Sequence, residues 1–348
     1  MRQLTLFLAL VCVVVVNTSR ADIYELPPEG YDVIGAISTV SARHEDTLID
    51  IARRHGLGYQ DIVRANPNVN IWLPGEGTEV ILPTRFVLPA GIRSGVVLNL
   101  AEYRLYYFPE PREGEPAYVM TYPISIGRMD WETPLGLTKI ISKVRNPSWY
   151  VPQSVLDEHA ADGDPLPRIV PPGPKNPLGK FAMRLGLPGY LIHSTNRPAG
   201  VGMRVTHGCV RMFPEDIEYL FGQVATSTAV RIINEPVKIG WSGDQLVMEV
   251  HPILEMAAPT TDEPMQDEES VDEETVDEET SGDAVVADSV DTVIKDPLTY
   301  LTEQFIAATG DRAGQLDWHL AEQIIDRSDG IPTDVGQAIK NAATSAAF

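Results

Sequence analysis

The sequence predicts a mainly β protein, with a small α+β unit in front and a short α-helical element behind. Three observations carry that reading. Between residues 95 and 234, short apolar runs rich in Val, Ile and Tyr recur between turns, at 96–100, 104–108, 118–126, 139–144, 191–193 and 230–233. Such runs read as strands, and within this region only 214–223, with proline in its first turn and Asp216 early, reads as a helix. Residues 37–84 follow the order strand, helix, helix, strand. Residues 256–295 change composition altogether: 262–291 hold fourteen acidic residues and no Lys or Arg.

Length and charge narrow the function. The 348 residues, 43% hydrophobic, allow two or three domains with real cores. A net charge of −22 excludes nucleic acid as a partner. The acidic stretch carries most of it, leaving only −8 for the rest of the chain. Residues 1–21 read as a signal peptide: Arg2, an apolar run over 4–16, and small residues before a cut after Ala21. The chain is therefore expected to be exported. Cys12 lies inside that signal, which leaves Cys209 as the single cysteine of the mature chain and rules out an intramolecular disulfide. No metal-ligand set and no nucleotide loop appears, so no cofactor and no metal are expected.

Taken in order, 22–36 is a short lead with Pro and Gly. In 37–84, Asp46-Thr47-Leu48 caps a helix whose apolar positions Leu48, Ile51 and Ala52 recur at helical spacing, ending at Gly56. A second helix spans 59–65 and stops at Asn66-Pro67, since a residue before proline avoids helical geometry. Leu73-Pro74-Gly75 makes a turn, and 78–82 a strand. Residues 145–179 are dense in proline and too long for an ordinary loop, with Trp149 and Tyr150 as candidate walls of a site or as anchors to the core. Residues 235–255 read as an extension of the 95–234 domain. Residues 256–295, with Val-Asp-Glu-Glu-Thr twice in tandem at 271–280, read as a disordered, self-repelling linker. Residues 296–348 regain helical periodicity, with Leu298, Leu301, Phe305 and Ile306 on one face and Leu316, Leu320, Ile324 and Ile325 on another. They predict two or three short helices.

The chemistry concentrates in residues 193–213. His193 lies sixteen residues before Cys209, His207 two before it, and Arg204 and Arg211 flank it in a stretch rich in glycine. Cysteine attacks as a thiolate and needs a nearby base or cation. Histidine supplies such a base near neutrality, and arginine grips carboxylates through paired hydrogen bonds. The pattern His-x(12)-Thr-His-Gly-Cys-Val-Arg closely resembles the signature of the L,D-transpeptidases, whose catalytic domain is called YkuD-type. That resemblance implies a β-sandwich or barrel-like catalytic domain over 95–234. It also implies Cys209 as nucleophile, His193 as general base, and Ser194 orienting the imidazole through its carbonyl. His207 and Gly208 would stand beside the oxyanion, and Arg211 and Arg204 would hold substrate carboxylates. Ile124-Ser125-Ile126-Gly127 with Thr133-Pro134-Leu135-Gly136 is similar to a conserved family segment with a structural role, and 145–179 resembles the flap over the family's site.

The unit at 37–84 resembles a LysM module, a binder of N-acetylglucosamine glycans, through Asp46-Thr47-Leu48, Ala65-Asn66-Pro67 and Leu73-Pro74-Gly75. Ala42-Arg43-His44-Glu45 departs from that pattern. With this front the chain is similar to the periplasmic ErfK/YbiS/YcfS/YnhG group. The resemblance implies a peptidoglycan tetrapeptide stem as donor, with loss of its terminal D-alanine. It leaves the acceptor open between a stem amine, an outer-membrane protein or lipoprotein amine, and water. A non-catalytic wall-binding protein is the alternative class. His44, His55, His159, His251 and His319 carry no motif and are expected at the surface.

Overall fold

The computed structural model describes residues 22–255 and 295–339, apart from Ile92 and Asp130. The signal segment, almost all of the acidic linker and residues 340–348 lie outside the described residues. Six α-helices are present among them: α1 (Leu48–Arg54), α2 (Tyr59–Ala65), α3 (Gln153–Ala161), α4 (Pro214–Gln223), α5 (Pro297–Thr309) and α6 (Trp318–Arg327).

Gly95–Asn99, Arg104–Phe108 and Tyr118–Pro123 form consecutive antiparallel strands. None has a polar face. Val96, Leu98, Leu105, Tyr107, Met120 and Tyr122 enter one core. Val97, Tyr106, Phe108 and Val119 enter another. Successive side chains of a strand point to opposite faces, so runs buried at nearly every position belong to a sheet covered on both sides. These strands sit inside a nine-stranded sheet. Ala229–Ile233 lies between Gly95–Asn99, in parallel, and Gly136–Arg145, antiparallel. Asp22–Glu25, expected to be part of an irregular lead, is the strand at one edge and pairs with Tyr118–Pro123. At the other edge Phe181–Leu185, Leu191–His193 and Val210–Arg211 follow in turn. The fold is mainly β.

The front of the sheet is packed by α4 through Ile217, Leu220 and Phe221. The back is covered by the small unit. Its two strands, Val33–Ser41 and Glu79–Val87, pair antiparallel. Leu48, Ile51, Leu57 and Ile62 from its helices share a core with Val97 and Tyr106 of the sheet. The α1 start is a capping box: Thr47 Oγ1 accepts from the Asp50 amide and Asp50 Oδ2 from the Thr47 amide, each at 3.1 Å. Asn66, which ends α2, donates to the Ile81 carbonyl (2.9 Å) and accepts from the Ile81 amide (2.8 Å), tying helix to strand. Arg104 reaches out of the sheet to Asp61 (2.6 Å), and its guanidinium covers the Phe86 ring 4.2 Å from the centroid.

Two expectations need correction. The 145–179 segment contains a regular helix, α3, as well as a short ladder of Trp149–Tyr150 with Ile169–Val170. Only Val155 of α3 is buried, so the helix carries almost no apolar periodicity to read. In the C-terminal element, α5 and α6 are accompanied by two strands. Gly314–Leu316 and Thr333–Ala338 join the hairpin Val237–Ser242/Gln245–Val250 in one four-stranded sheet with its own core. Within 235–255 the hairpin 237–250 therefore pairs with the C-terminal element, while Glu235 bonds to Asn99 and Leu254 enters the core of the nine-stranded sheet.

Three parts of the chain meet at a buried ionic network. Lys238 Nζ lies 2.6 Å from Glu102 Oε2, 3.1 Å from Glu249 Oε1 and 2.7 Å from the Val87 carbonyl. Glu249 also accepts from the Val87 amide (2.7 Å) and from His251 Nε2 (2.7 Å). Burial pulls the Lys238 ammonium down, but the two carboxylates outweigh it and the net shift is upward. His251, expected at the surface, is buried here against Gly330, in contacts made by segments remote in sequence. Glu102, Glu249 and His251 could together hold a metal ion among the described residues, but Lys238 already stands between the two carboxylates.

Replacing Lys238 by Met strands two buried carboxylates and is expected to cost about 3–5 kcal/mol in urea unfolding, with part recovered by adding Glu102→Gln. Burial lowers the His251 pKa from 6.5 to about 3. Its stabilising contribution is complete above pH 6.5 and lost as pH falls toward 3, because only the unfolded chain takes up the proton between those values. Stability should decline by up to about 1.4 kcal/mol per pH unit from this group. His251→Gln should flatten that slope in unfolding midpoints taken from pH 7 to 4.

Candidate active site

The site forms at one end of the nine-stranded sheet. Leu191–His193 and Val210–Arg211 run in parallel, with Ile192 opposite Val210 and His193 opposite Arg211. Opposed residues of a parallel pair share a face, which puts His193 and Arg211 on one side. Cys209, immediately before the second strand, joins them: its thiol lies 3.6 Å from the Gly189 carbonyl and feels the Leu191 amide and the Arg211 charge.

The His193 ring is fixed by main chain. Its Nδ1 is 2.6 Å from the Ser194 carbonyl, which can only accept, so Nδ1 carries the hydrogen and Nε2 presents a lone pair. The Ser194 amide donates to the Phe181 carbonyl at 2.9 Å, so the acceptor is itself held by the sheet. Gly179 packs on Ser194 at a positive φ of 66°, and a Cβ there would lie 2.6 Å from Ser194 Cβ.

Electrostatics leave the pair uncharged at rest. Burial, helped by the Arg211 charge, lowers the His193 pKa to about 3 against a smaller opposing effect of the Ser194 carbonyl. Burial raises the Cys209 thiol to about 11, with the Leu191 amide and Arg211 pulling it partly back. Both shifts favour the uncharged forms at neutral pH, a neutral imidazole and a thiol.

The loop that carries Cys209 is pinned at several atoms. Thr133 Oγ1 donates to the Gly208 carbonyl (2.7 Å) and accepts from the Gly127 amide (3.1 Å), which gives the Thr133-Pro134-Leu135-Gly136 segment its structural part. Thr206 Oγ1 donates to the Cys209 carbonyl (2.6 Å). Gly208 has φ +93°, and a Cβ there would meet Tyr190 Cε1 at 2.8 Å, which explains glycine between His207 and Cys209.

His207 lies two residues before Cys209, and its side chain points to α3. Its Nε2 donates to Glu158 Oε2 on α3 at 2.8 Å, and its ring meets Trp131 edge-on at 5.1 Å. Glu158 also receives Arg128 at 2.9 Å. Neither Glu158 nor Tyr190 was singled out from sequence. Glu158 lies 49 positions from its partner in a helix without a motif, and no local signal could have found it. Arg204 and Arg211 differ sharply. Arg204 donates to the carbonyls of Gly127 and Glu255 (3.0 Å each) and to Glu132 Oε1 (3.2 Å). Arg211 keeps a buried Nε with no hydrogen-bond partner among the described residues. Trp149 and Tyr150 sit on the flap ladder, Trp149 partly buried and Tyr150 exposed. His44 and His319 are exposed, and His55 and His159 partly so.

A partly exposed cysteine at the start of one strand and a buried histidine on the adjoining strand, its ring held by a main-chain carbonyl, are the equipment of covalent acyl transfer. The YkuD family, the L,D-transpeptidase catalytic domain, matches residues 93–233. The chain is 38% identical over 255 residues to the probable L,D-transpeptidase ErfK/SrfK of Salmonella typhimurium, covering 72% of this chain and 81% of that one. It is 38% identical over 256 residues to the probable L,D-transpeptidase YbiS of Escherichia coli, covering 72% and 82%. Among solved structures, L,D-transpeptidase 3 of Mycobacterium tuberculosis is similar at 21% identity and a TM-score of 0.29, over 44% of this chain and 66% of that one. The chain belongs to the YkuD family of L,D-transpeptidases.

With the thiol at about 11, alkylation of Cys209 by iodoacetamide should keep accelerating from pH 7 to pH 10. A rate already level at pH 6–7, the mark of a preformed thiolate, contradicts the neutral pair.

Proposed function

We propose that the chain is an exported, periplasmic L,D-transpeptidase acting on peptidoglycan tetrapeptide stems. The observation that carries this reading is His193, its Nδ1 committed to the Ser194 carbonyl and its bare Nε2 on the strand beside Cys209. In the proposed reaction the Cys209 sulfur attacks the carbonyl of the third stem residue while its proton passes to His193 Nε2. The amide C–N bond breaks, D-alanine leaves as an amine with that proton, and a thioester remains on sulfur. An acceptor amine then attacks the thioester, gives its proton to His193, and restores the thiol. The main-chain N–H groups of Gly208 and Cys209, with the His207 side, would stabilise the oxyanion.

Arg211 is assigned to a substrate carboxylate, since its buried guanidinium has an unused donor. Arg204, spending three donors on the protein, is assigned to holding the loop. Trp149 and Tyr150 are assigned to the substrate wall of the flap. The small unit, 37–84, is read as a LysM-like module on the glycan strand. The acceptor is read as an amine of an outer-membrane protein or lipoprotein, with a stem amine or water as the competing outcomes.

Incubating the mature chain and Cys209→Ala with disaccharide-tetrapeptide and a lysine-ended peptide tests this by product mass. D-alanine release by the parent chain alone, with a peptide conjugate, is expected. A cross-linked dimer or a tripeptide redirects the acceptor. No release by either chain overturns the enzyme reading.

A further inference from the structure

The loop between the two residues assigned to catalysis, 194–208, is held by the small N-terminal unit as well as by its own domain. The Tyr59 amide, at the first residue of α2, donates to the Val201 carbonyl at 2.9 Å, and the Gln60 amide to the Gly202 carbonyl at 3.4 Å. The two backbones approach too closely for any side chain. A Cβ on Gly58 would lie 2.8 Å from Gly202 Cα, and a Cβ on Gly202, at φ +88°, would lie 2.3 Å from the Tyr59 nitrogen. From the other side Ser125 Oγ donates to the Gly200 carbonyl at 2.8 Å. The loop apex is thus gripped between a sheet residue and the start of α2.

That start is itself fixed. Asp61 Oδ2 accepts from the Gly58 amide at 2.9 Å and from buried Arg104 of the sheet at 2.6 Å. A separate tie, Arg53 to Glu215 through two contacts of 2.6 and 2.8 Å, joins α1 to α4.

We propose that the start of α2 is a positioning device for catalysis: the Gly58-Tyr59-Gln60 backbone clamps Val201–Gly202 and so sets where the loop delivers Cys209. The N-terminal unit is then a structural part of the active site, whatever glycan it binds. This inference rests on the transpeptidase reading for its activity readout but not for its geometry. The consequence is that residues 93–233 without the front unit would hold the nucleophile in a loosened loop, at a cost in chemical rate and not in substrate affinity.

The test compares Tyr59→Pro with Tyr59→Ala in the full mature chain. Proline is tolerated at the first position of a helix, and Gly58, at φ −88° and ψ 173°, is already extended as a residue before proline should be. Tyr59→Pro therefore deletes the donor to Val201 while α2 persists; Tyr59→Ala removes the same side chain and keeps the donor. Tyr59→Ala should stay within about twofold of the parent in kcat, KM and the pH profile of Cys209 alkylation. Tyr59→Pro should lower kcat about 10- to 100-fold with KM nearly unchanged, and shift the alkylation profile. Gly58→Ala should repeat the effect where Tyr59→Pro proves unfolded by circular dichroism. Arg53→Gln, which breaks the separate tie, should leave both readouts unchanged. Equal behaviour of the proline and alanine variants, or equal loss in Arg53→Gln, overturns the clamp. The alkylation profile decides the matter even where no chain releases D-alanine, so failure of the transpeptidase reading and failure of the clamp give different results.

Discussion

One ammonium group holds three parts of this molecule together. Lys238 comes from the hairpin that begins the C-terminal sheet, Glu102 from the turn after a central strand, and Val87 from the last strand of the front unit. Unpaired, any one of these charges would be prohibitively costly at this depth. Together they leave each charged side chain a partner at hydrogen-bond distance, and only one relative placement of the three parts provides that. The desolvation of such buried charges offsets much of their attraction, whereas losing one partner leaves a costly unpaired charge. Here the arrangement matters, because the front unit also reaches the catalytic loop.

The same logic runs from the sheet to the site. A strand run apolar on both faces demands cover on both sides, which α4 and the front unit supply. The front unit, once fixed, meets Val201 and Gly202. The loop then closes on Cys209 through Gly208, whose positive φ no other residue adopts without meeting Tyr190. Burial that stabilises the fold also disfavours charge in the site, pushing His193 and Cys209 apart in proton affinity. The 145–179 segment is tied to this end of the sheet through Glu158, which meets His207 and Arg128.

The sequence was most legible where structure is local. The end of α2 follows from Asn66-Pro67, and the Thr-His-Gly-Cys signature pointed to a loop that the structure builds from Thr206 to Cys209. It was least legible where burial is made by distant partners. His251 looked like a surface residue because the segment that covers it, at Gly330, is some eighty positions away. Thr333–Ala338 has little strand character of its own and becomes a strand by pairing with Gln245–Val250. Helix α3 follows Pro152 and buries one residue, so neither periodicity nor a side-chain cap announced it.

The claim at the centre of this account is a thioester on Cys209, formed with His193 as base. The most direct measurement is the intact mass of the protein mixed with tetrapeptide in the absence of any acceptor amine, followed by peptide mapping. The account predicts an added mass equal to the stem acyl group without its terminal alanine, located on the peptide that contains Cys209 and absent from His193→Gln on the same timescale. An unmodified protein that nonetheless turns over the peptide, or an adduct on another residue, would contradict it.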